Sequence, residues 1–236
     1  MRAMILAAGR GERMRPLTDT CPKPLLPVAG RPLIVHHIEK LARAGFQDIV
    51  INTAWLGNMI EKELGDGAHW GVRLHYSHEA QALETAGGIA HALHLLGDAP
   101  FLLLNGDVHT DWDVARAPAV AGTLDAQQAD MWLLLVPNPA HNPNGDFSID
   151  ADARLRDGGP QALTYAGVAI YHPRLFAEVN PDQAAPMAPL FRRTIAAGRA
   201  IGTRHDGRWT DVGTVDRLAE LDASLARIDN VKNSML

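Results

Sequence analysis

The feature that most limits what this chain can fold into is a set of short, unbroken apolar runs: residues 3–8 (AMILAA), 101–104 (FLLL) and 132–136 (WLLLV). A strand with one wet face alternates apolar and polar side chains. A run without alternation is covered on both faces, as the strands of a parallel sheet are. Amphipathic stretches between the runs predict helices over 33–44, 56–64, 85–96, 189–197 and 215–228, with Gly45 and Gly65 where C-caps are expected. Further strands are predicted over 48–52, 72–76 and 163–171. This βαβ rhythm predicts an α/β fold with a central mixed, mostly parallel sheet flanked by helices. Residues 138–159, rich in Asn, Pro, Gly and Asp, read as loop or as short hairpins extending the sheet, and 209–212 as a turn. No internal repeat interrupts the pattern, so a single domain over 1–236 is expected.

Composition narrows the function classes. Apolar residues make up 47% and charged residues 21%, which excludes a disordered chain. With 22 Lys and Arg against 27 Asp and Glu, the net charge of −5 argues against bulk nucleic-acid binding, which wants a basic face. No window approaches the roughly 18 apolar residues of a membrane span. The apolar start meets Arg10 too soon for a signal peptide, and Cys21, the one cysteine, permits no intramolecular disulfide. A cytoplasmic location is therefore expected, and the sequence requires no oligomer.

Chemistry concentrates after the first strand. Gly9-Arg10-Gly11-Glu12-Arg13-Met14-Arg15-Pro16 follows it directly, and Pro22-Lys23-Pro24 comes soon after. Glycines let a backbone approach a ligand and turn its N–H groups inward as an anion nest, while Arg13, Arg15 and Lys23 add cations for a polyphosphate. A bare G-x-G is more often a plain turn with solvated arginines; the prolines and Lys23 at this spacing favour the anion cradle. A Walker-type P-loop is excluded because G-x-x-x-x-G-K-[ST] is absent, and Met14 breaks the dinucleotide fingerprint G-x-G-x-x-G. Two acids stand at element boundaries: Asp107 after the FLLLNG strand and Asp211 in WTDVGT. Ligands of parallel sheets sit beyond the carboxyl ends of the strands, so two such acids could clamp a Mg²⁺. Alone, each has a plainer reading, Asp107 as a turn residue and Asp211 as a helix cap. The eleven histidines form no tight metal-ligand spacing and read as surface or satisfied core residues.

LAAGRGERMRPLT with PKPLLPVAGRPLI resembles the signature of sugar-1-phosphate nucleotidyltransferases, over nearly the whole chain. The usual pattern has Thr at Glu12 and Leu at Met14. The resemblance implies a Rossmann-like nucleotidyltransferase fold, with an NTP-binding half of about 1–110 and a sugar-binding half of about 111–236. It implies NTP and sugar-1-phosphate as substrates and Mg²⁺ as cofactor, held by Asp107 and Asp211. It makes Lys23, Arg13 and Asp107 catalytic. By the same resemblance Gly9, Gly11, Glu12, Arg13, Lys23, Glu79, Gln81, Thr85 and Gly88 bind the nucleotide, and Asn105, Asn144, Gly145, Thr164 and Gly167 the sugar. Two departures stand out: Glu84 replaces the glycine of the family's L-G-T-A-G, and 156–161 replaces its E-K-P stretch. Short family members with LNGD, YAGV and WTDVGT segments imply uridylyl transfer to N-acetylmuramate-1-phosphate, in cell-wall sugar recycling. Guanylyl transfer to mannose-1-phosphate is the runner-up, and a non-catalytic nucleotide-sugar sensor the alternative of another class. That sugar's carboxylate needs a cation, for which Arg154, Arg156, Arg204 and His205 are the candidates.

Overall fold

The computed structural model describes residues 1–233. In chain order the elements are β1 (Ala3–Leu6), α1 (Leu17–Thr20), β2 (Pro27–Val28), β3 (Arg31–Pro32), α2 (Leu33–Arg43), β4 (Asp48–Thr53), α3 (Gly57–Leu64), β5 (Arg73–His78), α4 (Glu84–Leu96), β6 (Phe101–Asn105) and β7 (Val108–Thr110). They continue with α5 (Ala117–Leu124), β8 (Met131–Val136), β9 (Phe147–Ile149), β10 (Leu155–Asp157), β11 (Thr164–Tyr171), α6 (Met187–Ala196), β12 (Ala200–Arg204), β13 (Trp209–Asp211) and α7 (Val215–Asn233). Seven strands form one sheet in the order β12-β8-β11-β6-β1-β4-β5. Only β11 runs against its neighbours, so the sheet is mixed and mostly parallel, as the apolar runs predict.

Strand alternation explains why the runs carry no polar residues. Ile5, Ile51, Leu104 and Leu134 face a core closed by α2, α3 and α5. Their chain neighbours Met4, Val50, Leu103 and Leu135 face a second core closed by α4 and α6. Both faces are dry, so every position in a central strand has to be apolar. A third, smaller core joins Met14, Leu26, Val28 and Leu33 to Val212, Leu218 and Leu221, tying α7 to the segment behind the glycine-rich loop.

Three of the expected segments differ in extent, pairing or kind, and α5 and β12 arise where no element is expected. The first strand ends at Leu6 rather than at 8, which frees Ala7 and Ala8 to begin the loop. Residues 138–159 hold a short hairpin, β9 with β10, that is a separate antiparallel pair and meets the edge strand β12 through an isolated bridge between Arg154 and Ile201. Residues 209–211 are not a turn but β13, paired antiparallel with β7 across a gap of about a hundred positions. Among the described residues, no helix is long and apolar enough to cross a membrane.

Candidate active site

The sheet turns over between β1 and β6, because β4 and β5 lie on one side of β1 while β6 lies on the other. Such a reversal opens a crevice at the carboxyl ends of the strands. A cavity of about 420 Å³ occupies that place, lined by Gly9, Gly11, Glu12, Arg13 and Lys23, by Asn52, Glu79, Glu84 and Thr85, and by Asn105, Asp107 and Gly213.

The glycine-rich loop owes its shape to local contacts. Gly11 has φ +70°, and a Cβ there would come within 2.9 Å of the Thr18 methyl. Thr18 is buried and its hydroxyl donates to the Gly11 carbonyl at 2.9 Å, which pins the loop on α1. The three arginines then separate in role. Arg10 pairs with Asp19 and stacks on the Trp55 ring, and Arg15 also pairs with Asp19. Arg15, expected to contribute a phosphate cation, is thus spent on loop structure. Arg13 makes no ion pair or hydrogen bond among the described residues and lines the cavity.

Asp107 reaches the cavity through the tight turn between β6 and β7. The Gly106 N–H donates to the Leu6 carbonyl at 2.9 Å, and a Cβ at 106 would sit 2.4 Å from that oxygen. Only glycine allows the ends of β1 and β6 to meet so closely, and the acid is thereby set beside the loop. Lys23 Nζ donates to Asp107 at 2.5 Å. The β13–β7 ladder brings Asp211 next: Asp211 is in register with Val108, and the Val212 N–H donates to the Asp107 carbonyl at 2.7 Å. The two acids therefore arise from adjoining backbone. Asp211 faces a neighbouring cavity of about 320 Å³ with His141, Trp209 and Arg217, and its carboxylate accepts from Arg217 and lies 3.1 Å from His141. Arg217 and Arg13 both crowd the α-carbon of Gly213, at the seam between the two cavities.

The floor of the main cavity is a polar chain. The Ala7 N–H donates to Asn52 Oδ1 at 2.8 Å, Asn52 Nδ2 to Glu79 Oε1 at 2.7 Å, and the Leu83 N–H to Glu79 Oε2 at 2.8 Å. Glu79 is buried, and its two oxygens are engaged in holding the walls together. Gly88 lies outside the lining. Its α-carbon packs on that carboxylate, where a Cβ would come within 2.5 Å of Oε1, so it shapes the site through Glu79. Gln81 is exposed and also outside the lining. Glu84 has φ +56°, a left-handed conformation that costs a side-chain-bearing residue roughly 1–2 kcal/mol.

Four residues expected to meet the sugar do other work. Thr164 is buried and bonded to Asn138 and Asn142, and Gly145 is packed 2.6 Å (measured from a Cβ) from the Ala162 backbone. Gly167 takes φ +70° against Asn105, and Asn144 is exposed on the loop before β9. None lines either cavity; Asn105 alone of the sugar set does. The four cations suggested for a sugar carboxylate are engaged too: Arg154 with the Gly198 and Gln127 carbonyls, Arg156 with Asp150, Arg204 with Asp206, and His205 with Asp111. Asn52, His141 and Arg217 were not singled out by sequence. Asn52 has no motif around it, and Arg217 reads as an ordinary polar position of an amphipathic helix. Burial raises the Cys21 thiol pKa, helped by the charge of Glu63, which keeps it an unreactive thiol.

The comparisons agree with this geometry. The nucleotidyl transferase family model matches residues 2–227. The chain is 54% identical over 227 residues to the N-acetylmuramate alpha-1-phosphate uridylyltransferase of Neisseria meningitidis serogroup B, covering 94% of this chain and 97% of that one. It is 38% identical over 234 residues to the enzyme of the same name from Caulobacter vibrioides, covering 95% and 96%. Among solved structures, a candidate glucose-1-phosphate thymidylyltransferase from Bacillus anthracis in complex with a sucrose superimposes with a TM-score of 0.82 at 24% identity, over 96% of each chain, which bears on fold alone. A glycine-rich loop at the sheet reversal, two acids brought together by the β13–β7 ladder and a family match over residues 2–227 lead to one assignment: this chain belongs to the nucleotidyl transferase family.

Proposed function

We propose that the enzyme transfers the uridylyl group of UTP to N-acetylmuramate-1-phosphate, giving the UDP-sugar and pyrophosphate, as a step of cell-wall sugar recycling in the cytoplasm. The observation that carries the reading is the 54% identity, over nearly the full length of both chains, to an enzyme bearing that name. We also keep the division into halves near residue 110. All but one of the residues lining the main cavity precede 110, whereas the neighbouring cavity is lined by residues from Val136 onward.

A phosphate oxygen of the sugar attacks the α-phosphorus of the NTP, and pyrophosphate leaves in line. The nucleophile is already anionic, so no general base is required. What the protein supplies is position and positive charge. In this reading the loop from Ala7 to Met14 wraps the triphosphate with its N–H groups, and Arg13 neutralises its outer charge. Lys23 neutralises charge at the α-phosphate as the P–O bond breaks. The donor set suits a divalent cation: Asp107, in the turn before β7, and Asp211, on the paired β13, offer carboxylate oxygens, the hard ligands Mg²⁺ takes. A Mg²⁺ held there would offset repulsion between the two substrates' phosphates. The neighbouring cavity offers Trp209 as a wall, with Arg217 and His141 as partners for a sugar carboxylate.

A pyrophosphate-release assay across four NTPs and several sugar-1-phosphates tests the proposal. The expected best pair is UTP with N-acetylmuramate-1-phosphate. Preference for GTP with mannose-1-phosphate would replace it by guanylyl transfer, and no release with any pair would favour a sensor.

A further inference from the structure

The glycine-rich loop is tied at both ends to one short segment, the end of β4 and the turn that follows it. At the start of the loop the Ala7 N–H donates to Asn52 Oδ1 at 2.8 Å. At its far end the holding point is Thr18. The Thr18 hydroxyl donates to the Gly11 carbonyl at 2.9 Å, and the Thr18 carbonyl accepts from Arg10 Nη1 at 2.6 Å and from Trp55 Nε1 at 3.0 Å. Trp55 lies between β4 and α3, just beyond Asn52. Residues 52 and 55 therefore grip the two ends of the same loop.

Trp55 has a second hold. The Arg10 guanidinium stacks on its ring, 3.9 Å from the centroid, while Arg10 Nη2 donates to Asp19 at 2.7 Å. Among aromatic rings the indole face attracts a cation best. The turn that carries Trp55 is tight: Leu56 has φ +53°, and Gly57 packs on Thr53, where a Cβ would come within 2.9 Å of the Thr53 Cβ. Trp55 is thus fixed in place although 38% of it stays exposed, and neither it nor Arg10 enters any of the three cores. Neither lines the main cavity. What Trp55 holds, by hydrogen bond and by stacking, is the loop.

That hold matters because Gly9 and Gly11 leave the loop backbone unusually free. A cradle of N–H groups binds an anion well when those groups already point inward. A loop that has to be ordered first weakens binding in proportion to the fraction of molecules in the competent form.

We infer that Trp55 is a positioning residue: together with Arg10 it latches the glycine-rich loop in the form that receives the triphosphate, without touching the nucleotide itself. The inference rests on the reading of that loop as the triphosphate cradle. It also separates Arg10, which braces the loop, from Arg13, which lines the cavity.

Calorimetric binding of UTP, with no acceptor sugar present, isolates this from turnover. Trp55→Ala is expected to weaken UTP binding about ten-fold, as a competent population reduced to about one tenth would. Trp55→Phe keeps a stacking face and loses the N–H, so a loss of about three-fold is expected. Inorganic tripolyphosphate, which meets the loop and carries no nucleoside, should lose affinity by the same factors. Arg10→Ala should match Trp55→Ala, and the double variant should bind no more weakly than either, because the two side chains form one latch. At saturating UTP, the KM of Trp55→Ala for the sugar-1-phosphate should stay within about two-fold of wild type, which general damage to the fold would not spare. Equal UTP affinity of wild type and Trp55→Ala would overturn the proposal. So would multiplied losses in the double variant, or equal losses for UTP and the sugar-1-phosphate, which would make Trp55 a plain stabiliser of the fold. Failure of wild type to bind either UTP or tripolyphosphate would instead remove the reading of the loop as a cradle.

Discussion

Two ion pairs stand side by side in this protein and are built differently. Lys23–Asp107 opens into the main cavity, and among the described residues Asp107 has only the ammonium as a side-chain partner. Arg217–Asp211 opens into the neighbouring cavity, and there the guanidinium also meets His141 and Thr214. Lysine carries a compact point charge on a flexible stem, whereas arginine holds several partners in a fixed plane. The first pair is suited to exchange partners when charge moves during a reaction; the second is suited to hold a geometry. The backbone bond from Val212 to Asp107 couples them, so the difference lies in the cations and not in separate scaffolds.

The largest expected effect treats the two acids as equals. Asp107→Ala and Asp211→Ala should each lower turnover by about 100-fold or more at saturating Mg²⁺, as loss of one strong electrostatic stabiliser does. Steady-state pyrophosphate release measures it. Turnover within a few fold of wild type in either variant would remove that aspartate from the metal site and make the pairs unequal at their acids as well.

Replacing the cations should separate the pairs. Lys23→Ala is expected to lower kcat, by about ten-fold or more, with a smaller rise in KM for UTP, because its charge is needed most in the transition state. Arg217→Ala should do the reverse, raising KM for the sugar-1-phosphate by about ten-fold with kcat less affected, as a group that holds bound substrate does. A pure KM effect at Lys23, or a pure kcat effect at Arg217, would exchange the roles assigned above.

These roles were unequally legible in the sequence. The glycine-rich loop, Lys23 and Asp107 are local: their function is carried by residues that stand next to one another, and the loop's tight turns leave little choice of residue. The sheet was legible for a similar reason, since burial on both faces forbids polar residues over whole segments. Arg217 was not, because its meaning comes from the β13–β7 pairing, which joins positions about a hundred residues apart. Gly145 misled for a complementary reason: glycine is equally suited to a binding loop and to the packed start of a hairpin, and at 145 it packs against the Ala162 backbone. β12 was missed because AIGTR is short and glycine-interrupted, and its strand character comes from pairing with β8.

Acid should weaken both pairs together, through the strand that joins them. His37 is buried against the far side of that region, its Nε2 has no partner among the described residues, and desolvation lowers its pKa to about 3. His109, on β7 itself, is lowered to about 4, also by desolvation first and then by its neighbours His36 and Lys40. The unfolded chain takes up these protons near pH 6.5, the folded protein only near pH 3–4. Stability is therefore full above about pH 6.5 and falls as pH drops toward 4. Differential scanning calorimetry should show Tm lower by at least about 5 °C at pH 5 than at pH 7. His37→Asn and His109→Asn should each flatten that slope; an unchanged slope in both would place the acid sensitivity elsewhere.

The smallest effect belongs to the residue between the loop and Lys23. Cys21 packs against the core formed by Met14, Leu26, Val28 and Leu33, and its Sγ lies 3.7 Å from the Pro22 carbonyl. A nucleophilic cysteine needs a lowered pKa and nearby positive charge. Burial and the Glu63 carboxylate act the other way here, and the cavity lining does not include it. Phosphate transfer between two anionic substrates gives a thiol nothing to do. Cys21→Ser is therefore expected to leave kcat and both KM values within about two-fold of wild type, since a half-buried surface position away from the reacting atoms tolerates such a change. Strong inactivation would show that the thiol packing sets the position of Lys23, and the Lys23–Asp107 pair would then depend on its neighbours as much as the arginine pair does.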